Sequence, residues 1–415
     1  MIKYPINFIK IITVNFSLFV ARRIRNTHET SFSKTVTYVG IGTISLGICI
    51  ILVAFSILFG FKNAIIQKIT NFSGDLRISQ ISGNHSLSES PMQRNEAWEK
   101  SIRKHPYVDH LQAHVQKPGI LVGDQGLAGV VIKGIGADMP LAQVKQNIIA
   151  GSGKMNKGQS IILSQELAQQ LKVRVTGSLI LYFLSQPNRP RKVQVQGIYE
   201  TGLEELDKLF VLADRDWVQK MNGYTADSIG TYEIYLKQPV DLNIAANQLT
   251  KTLDPTWKLE TKVELFPALF DWMQMLDRNI VIFISLLLIV ACFNLIATLW
   301  VLIMERIPMV GLLKALGSSA SQIRSIFWWN GFFILLRGLL IGNILAMGFC
   351  WLQATYHLIP LDPVNYYMNA VPIHWDWLTW VWVNLGTCAL VSIIIYIPTH
   401  FINKIDPHTA INYKN

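Results

Sequence analysis

Hydrophobic positions fall into two regimes along the chain. Four runs are apolar on every side of a helical wheel and reach the roughly 20 residues that a bilayer crossing needs: residues 36–60, 280–304, 326–351 and 378–397, the third interrupted by Arg337. Between the first two runs, residues 61–279 change character. Segments 129–134, 160–163, 178–183, 193–199 and 231–236 have strand composition or alternate apolar with polar, and segments 165–172, 215–221 and 242–252 read as short helices. Residues 61–72 and 263–279 keep helical spacing and extend the flanking spans as stalks. The expected fold is a membrane α-helical protein with four transmembrane helices and a large α+β extracytoplasmic domain inserted between the first and second.

Ahead of the first span, residues 6–22 place Asn7, Lys10, Thr13 and Ser17 at helical spacing among apolar residues and end in Arg22 and Arg23. This predicts an interfacial amphipathic helix within residues 1–35; the alternative, a fifth span, is opposed by the lysine and asparagines. A cleaved leader is not expected, because the first apolar run starts far into the chain and is too long.

Charge sets the orientation. Lys3, Lys10, Arg22, Arg23, Arg25 and Lys34 precede the first span, and Arg306, Lys314 and Arg324 fall in the 305–325 link between the second and third. Residues 352–377 carry no Lys or Arg, whereas the 398–415 tail carries Lys404 and Lys414. Positively charged flanks stay in the cytoplasm, so both termini and the 305–325 link are expected there, with the inserted domain and the 352–377 loop on the opposite side of the membrane.

Composition agrees with this mixture. Of 415 residues, 51% are hydrophobic and 15% charged, too apolar for an average soluble protein and too charged for membrane throughout. The net charge of +10 is scattered without aromatic interleaving, which argues against nucleic acid as a partner. Cys49, Cys292, Cys350 and Cys388 all lie in apolar runs, where they act as small hydrophobes rather than a disulfide framework.

Catalytic chemistry is not indicated. Gly151-Ser-Gly-Lys154 falls short of a phosphate loop, having Ile148 and Met155 where Gly and Ser or Thr are required. Gly134-Ile-Gly136 lacks the third glycine of a dinucleotide fingerprint, since Met139 stands there. His105, His110 and His114 would approach one another on a helix, but Pro106 and the absence of Cys or acidic ligand spacing argue against a metal. With no nucleophile elbow and no zinc-protease motif, the inserted domain reads as a binding and force-transmitting module.

The most informative segment is 304–327, Met304-Glu-Arg through Phe327. Pro308 suits the first turn of a short helix, Gly317 its left-handed cap, and Ser319 with Gln322 a capping box for the next helix. Met309, Leu312, Leu313 and Leu316 give the short helix an apolar surface, and Gly311 permits close approach of another backbone. An amphipathic helix resting on the headgroups is the plain alternative.

The run Met304-Glu-Arg306, Gly311-Leu-Leu-Lys-Ala-Leu-Gly317 and Gln322-Ile resembles the coupling helix of the superfamily of lipoprotein-releasing, macrolide-exporting and cell-division (MacB/FtsX-like) ABC transporter permeases. The resemblance extends to Phe19-Val-Ala-Arg-Arg23, to Gly197-Ile-Tyr-Glu-Thr-Gly202 followed by Asp207, and to Ile405-Asp-Pro407 with Ala410-Ile. It implies a non-catalytic subunit whose coupling helix, through Arg306, Met309, Leu312, Leu313, Lys314 and Leu316, seats in a separate ABC ATPase dimer. ATP and Mg would be bound by that ATPase and no cofactor by this chain; a second permease copy or paralogue completes the assembly. Within the superfamily the lipoprotein-releasing (LolC/LolE-type) branch is most similar, on residues 160–168 and 202–207, although Ser164 replaces a usual glycine and Val175-Thr-Gly177 a usual Val-Gly-Asp. That branch implies a lipoprotein substrate and a periplasmic carrier. Residues 185–192 lie where it carries a carrier-docking loop, making Pro187, Arg189, Pro190 and Arg191 docking candidates; a solvated hairpin tip is the alternative. Other members imply a regulator of a cell-wall hydrolase or a peptide or drug exporter. Independently, Asp406 and Pro407 would cap and start a short tail helix.

Within the spans, Gly338, Gly342 and Ala346 recur every four residues, a pattern for close helix packing. Asn294 is a candidate for an interhelical hydrogen bond, and Arg337 for a paired or packed intramembrane site.

Overall fold

The computed structural model describes residues 17–21, 31–82, 89–124, 126–136, 147–153, 158–183, 186–362, 366 and 368–400. Two units make up the chain: residues 1–61, 274–359 and 371–415 form one, and residues 62–273 with 360–370 the other. The expected tail helix at Asp406 and most of the expected interfacial helix lie outside the described residues; of the latter, residues 17–21 are helical.

Helix α1, Ser31–Ser73, runs without interruption through the first apolar stretch and the expected stalk. Its last turns bury Ile65, Ile69 and Phe72, one stripe at helical spacing. Strand β1 (Leu76–Gln80), β2 (Met92–Gln93), helix α2 (Glu96–Arg103), the long β3 (Val108–Gly123), β4 (Gly126–Ile135), β5 (Ile148–Gly151) and β6 (Ser160–Ser164) follow. Next come α3 (Gln165–Gln170), β7 (Ser178–Phe183), β8 (Gln186–Tyr199), α4 (Glu204–Asp207), β9 (Phe210–Asp214), α5 (Arg215–Asn222), β10 (Ser228–Ile229) and β11 (Thr231–Leu236). Helix α6 (Leu242–Thr250), β12 (Trp257–Thr261) and α7 (Lys262–Leu265) close the inserted domain.

The strands pair in the order β12-β1-β11-β3-β4-β9-β6-β8-β5, and β7 bridges β3 and β8. That bridge closes a ring: β3, β4, β9, β6, β8 and β7 each pair with the next, and β7 returns to β3. Closure removes free edges from these strands. The ring is packed with Leu121, Val130, Ile132, Leu163, Leu181, Val195 and Val211, and α3 and α5 add Leu167 and Trp217. A second core, with Ile78, Trp98, Leu111, Tyr232 and Leu249, lies where α2 and α6 cover β12-β1-β11 and the first half of β3. Two cores on one long strand explain why β3 spans 16 residues.

The expected second stalk, 263–279, is not one helix. Thr261 and Glu264 form a capping box for α7, which ends at Phe266 with φ −126° and ψ 56°. Helix α8, Pro267–Glu305, starts immediately afterwards. Pro267 supplies no N–H and disfavours helical geometry in the residue before it, so the break falls there.

Helices α9 (Ile307–Ala315), α10 (Ala320–Tyr356) and α11 (Trp377–His400) follow among the described residues, with Pro398 inside the last turns of α11. Among the described residues four helices, α1, α8, α10 and α11, are long and apolar enough to cross a membrane. Ile44, Ile48 and Leu52 of α1, Leu295 and Leu299 of α8, Leu335 and Leu339 of α10 and Ile395 of α11 form their common core. The cysteines are free.

Candidate functional site

The link between α8 and α10 is a rigid knuckle built by local signals. Pro308 occupies the first turn of α9. At the far end Gly317 has φ +87°, its N–H donates to the Lys314 carbonyl at 3.0 Å, and the Ser318 N–H donates to Leu313 at 2.9 Å. This paired pattern is a Schellman cap, and it needs the left-handed conformation that glycine adopts without strain. Ser319 and Gln322 form a capping box at the start of α10, two residues later. Ser17, in the helical residues 17–21, donates from Oγ to the Gln322 carbonyl at 3.1 Å.

The apolar side chains of α9 divide between two faces. Val310 is buried with Ile303, Ile323 and Phe327, and Met309 and Leu313 pack half-buried against that cluster. Ile307 and Gly311 are also buried, while Arg306 and Lys314 are half-buried. Leu312 and Leu316 point away, 56% and 74% exposed. Four residues apart, they form one apolar stripe on a helix held from behind. Of the six residues expected to meet an ATPase, these two are therefore the presented ones, and Met309 and Leu313 serve the chain's own packing.

In the spans, Gly338 and Gly342 lie against α1: a Cβ on Gly338 would meet the Ile44 side chain at 2.6 Å, and one on Gly342 the Ser45 carbonyl oxygen at 2.7 Å. Ala346 is fully buried on the same stripe. The interhelical hydrogen bond is made by other residues than Asn294. Asn343 Nδ2 donates to Asn384 Oδ1 at 2.7 Å and Asn384 Nδ2 donates back at 3.0 Å, tying α10 to α11. Among the described residues Asn294 and Arg337 are both exposed.

The inserted domain contains a buried polar core that sequence patterning did not reveal. Lys133 Nζ lies 2.7 Å from Glu233 Oε1 and 2.6 Å from the Phe72 carbonyl oxygen. Gln112 donates to the other Glu233 oxygen at 2.5 Å. Lys262, first residue of α7, reaches Asp75 at 2.6 Å and Thr70 at 3.0 Å, and Asp75 also accepts from the Leu236 N–H at 2.8 Å. The last turn of α1, the first turn of α7 and strands β1, β3, β4 and β11 are thus cross-linked by charge-assisted hydrogen bonds. Glu89 joins the same core, accepting from Arg77 at 3.0 Å, Thr231 at 2.6 Å and the Gln116 N–H at 2.8 Å.

His114 sits in this core between Glu89, 3.8 Å away, and Glu233, 3.7 Å away. Burial pushes its pKa down to about 4 against the pull of the two carboxylates. The expected approach of His105, His110 and His114 fails because the segment is strand rather than helix: His110 and His114, both on β3, are about 13 Å apart along the strand. His105 instead stacks edge-on with Tyr107. Among the described residues no group of three metal-ligating side chains converges.

The Gly197–Asp207 motif is a buried staple. Asp207 accepts from Thr201 Oγ1 at 2.8 Å and from the Gly202 N–H at 3.0 Å, and burial raises its pKa against those bonds. Ser164, the departure from the family glycine, caps α3 through the Leu167 N–H at 3.1 Å and also donates to the Asp207 carbonyl. Phe72 packs on Tyr199 and Phe210, so this staple adjoins the end of α1.

The expected exposed turn at 185–192 is mostly strand, since β8 begins at Gln186. Leu181 pairs with Arg191 and Phe183 with Gln186, so the extra residues, with Pro187 and Pro190, are absorbed in a bulge. Arg189 and Pro190 are exposed and Arg191 is half-buried; the Pro187 side chain lies outside the described residues. Beside this hairpin an open cleft of about 680 Å³ is lined by polar residues, among them Gln159, Ser160, Lys192, Gln194 and Gln196.

Residues 40–252 match the MacB-like periplasmic core domain and residues 281–407 the FtsX-like permease C-terminal region. The chain belongs to the MacB/FtsX-like permease family. Over nearly its whole length it is similar to lipoprotein-releasing system transmembrane proteins. Identity is 21% to LolC of Xylella fastidiosa (strain Temecula1), covering 95% of this chain and 97% of that one. Identity is 22% to LolE of Haemophilus influenzae, covering 88% and 91%. Among solved structures, the periplasmic region of MacB from Actinobacillus actinomycetemcomitans is 13% identical, with 47% of this chain and 91% of that chain covered and a TM-score of 0.34. The family expected from residues 304–327 is the family found.

Proposed function

We propose that this permease couples ATP hydrolysis by a separate ATPase subunit to extraction of lipoproteins from a bacterial inner membrane, and that it is itself non-catalytic. The observation that carries the ATPase coupling is the exposed Leu312–Leu316 stripe, on a helix whose back is fixed by Val310, Met309 and Leu313. A rigidly held apolar ridge suits a groove in a partner, and movement of that partner passes to α8 and α10, which flank the ridge. The lipoprotein cargo is inferred from the likeness to lipoprotein-releasing proteins along the whole chain.

In this reading both termini and α9 are cytoplasmic, as the Arg306, Lys314 and Arg324 charges favour. Acyl chains are held by apolar surfaces of the spans, since two clefts of the inserted domain, one beside Gln194 and one beside Arg94, have mainly polar walls. The buried Lys133–Glu233 and Lys262–Asp75 pairs keep the ends of α1 and α7 fixed to the sheet, so that a displacement of these helices moves the inserted domain as a body. Arg189 and Arg191 would face an acidic carrier.

The test is release of a fluorescent acylated lipoprotein from proteoliposomes holding this chain and its cognate ATPase, with and without a periplasmic carrier. Release that requires ATP and carrier supports the proposal. ATP hydrolysis in the assembled complex without release overturns the cargo assignment and favours a mechanotransmitting regulator of a cell-wall hydrolase.

A further inference from the structure

At the β12 end of its sheet the inserted domain carries an open cleft of about 550 Å³, a volume in the range of about 300–1,000 Å³ that small-molecule sites occupy. Three stretches of chain meet there: the end of β1 at Gln80, the turn into α2 with Gln93, Asn95 and Glu96, and the turn into β12 with Asp254 and Trp257.

One wall is aromatic and fixed. Gln80 and Trp257 are directly opposed in the antiparallel β1–β12 register, so their side chains leave the same face of the sheet side by side. On the core side Trp98 meets the indole edge-on, with ring centres 5.1 Å apart, and the Tyr232 ring lies 6.0 Å away. Trp98 and Tyr232 are buried, whereas Trp257 is half-buried and lines the cleft.

Around the indole, polar side chains are anchored and still keep hydrogen-bonding capacity among the described residues. Asn95 Oδ1 accepts from the Trp98 N–H at 3.0 Å, which leaves the two protons of Nδ2. Asp254 Oδ1 accepts from the Thr256 N–H at 2.9 Å and from its hydroxyl at 2.7 Å, which leaves Oδ2. Gln93 Nε2 donates to Ser228 Oγ at 3.3 Å, which leaves the amide oxygen. The side-chain amide of Gln80 has no partner among the described residues.

Charge narrows the ligand. Arg94 gives Nε and Nη2 to Glu99 at 2.9 Å each, while Glu96 and Asp254 are exposed carboxylates, so the cleft repels an anion. Glu96 has Lys100 3.6 Å away, and among the described residues no three metal-ligating groups converge, which disfavours a metal ion. The mainly polar walls do not suit an aliphatic ligand. A neutral molecule fits if its hydroxyls both donate and accept and if it has a flat C–H face to lay on the indole. A sugar ring has both. Planar amides and a carboxylate bond its hydroxyls, and its C–H face is buried against a large aromatic surface.

We propose that this cleft binds a neutral oligosaccharide, one sugar ring lying on Trp257 and its hydroxyls bonded by Gln80, Asn95 and Asp254. The site goes beyond the permease reading and stands on the inserted domain alone.

The experiment uses the full chain in lipid nanodiscs, because alkyl glycoside detergents carry sugar headgroups that would compete. Binding of the N-acetylglucosamine tetrasaccharide, of maltotetraose and of spermidine is measured by titration, with tryptophan fluorescence as a second readout. The expected result is saturable binding of at least one of the two oligosaccharides and none of spermidine. Gln80→Ala with Asp254→Ala should weaken the binding at least fivefold at unchanged melting temperature, both residues lying outside the core. Lys258→Ala, on the opposite face of β12, should leave it unchanged. Trp257→Phe keeps an aromatic ring against Trp98 and Tyr232 and should weaken binding less than Trp257→Ala. No saturable oligosaccharide binding at millimolar concentration overturns the site. Binding that survives the Gln80→Ala, Asp254→Ala pair undiminished places the sugar elsewhere and overturns it equally, and saturable binding of spermidine alone would make the cleft a cation site.

Discussion

Lys133 Nζ stands 2.7 Å from Glu233 Oε1 with both side chains almost wholly buried, and the same ammonium reaches the carbonyl of Phe72 at the end of α1. Two charges withdrawn from water are tolerable together and costly apart. Lys133→Met should therefore destabilise the inserted domain by about 3–5 kcal/mol, because Glu233 is left buried with its countercharge gone. Lys133→Met with Glu233→Gln should recover a substantial part of that loss. Hydrogen exchange of the β4 and β11 amides in the detergent-solubilised protein reads both, and a double variant no better than the single one would contradict the pairing.

His114 gives this core a pH dependence of defined sign. Its folded-state pKa of about 4 lies below the ordinary value of 6.5, so between those pH values the unfolded chain takes up a proton that the folded domain refuses. Stability is full above pH 6.5, declines as pH falls, and levels off near pH 4 after a loss of roughly 3 kcal/mol. Glu89, Glu233, Arg77 and Lys133 surround the ring, the carboxylates opposing the shift and the cations adding to it. His114→Asn should flatten the decline between pH 6.5 and 4.5, measured as protection of the β3 amides; an unchanged slope would show that another group sets it.

What the sequence discloses here depends on the range of the interaction. The spans, the knuckle and its caps are local, so Pro308, Gly317 and Ser319 with Gln322 announce themselves. The closed strand ring depends on β7 pairing with both β3 and β8, which no short pattern encodes. The polar core joins Thr70 to Lys262 and Lys133 to Glu233 across long separations. One signal was available: Lys133 interrupts Val130-Val-Ile132 in a run that is otherwise apolar, and a lysine there calls for a buried acceptor. Asn343 and Asn384 were equally visible as amides in apolar runs, but composition does not say which asparagine faces a neighbour and which, like Asn294, faces outward.

The two faces of α9 predict opposite phenotypes. Leu312→Asp and Leu316→Asp change exposed positions and should leave the folded permease within about 0.5 kcal/mol of its original stability. Each should still remove ATPase co-purification and lipoprotein release. Met309→Ala with Leu313→Ala touches the half-buried face and should loosen the Val310–Phe327 cluster, lowering the melting temperature of the permease alone. Retained ATPase binding in the Leu312→Asp, Leu316→Asp double variant would exclude the ridge as the coupling surface.

The glycine stripe of α10 separates packing from composition. A Cβ at Gly342 would approach the Ser45 carbonyl oxygen to 2.7 Å, and backbone cannot yield as a side-chain end can; at Gly348, six residues on, a Cβ meets nothing within 4 Å. Both substitutions by alanine favour the helix itself by about 1 kcal/mol. Gly348→Ala should therefore be neutral or mildly stabilising. Gly342→Ala must push α10 away from α1, losing contacts along Ile44 and Ile48 at a cost of about 1–3 kcal/mol. The loss reaches α11 through the Asn343–Asn384 pair, whose geometry requires α10 to stay in register. Thermal unfolding of the two variants in the same detergent, followed by exposure of Cys350 to a thiol reagent, gives the comparison. Early labelling of Cys350, fully buried in the bundle core, is expected for Gly342→Ala alone, and equal labelling in both variants would mean that the stripe does not hold α10 to α1.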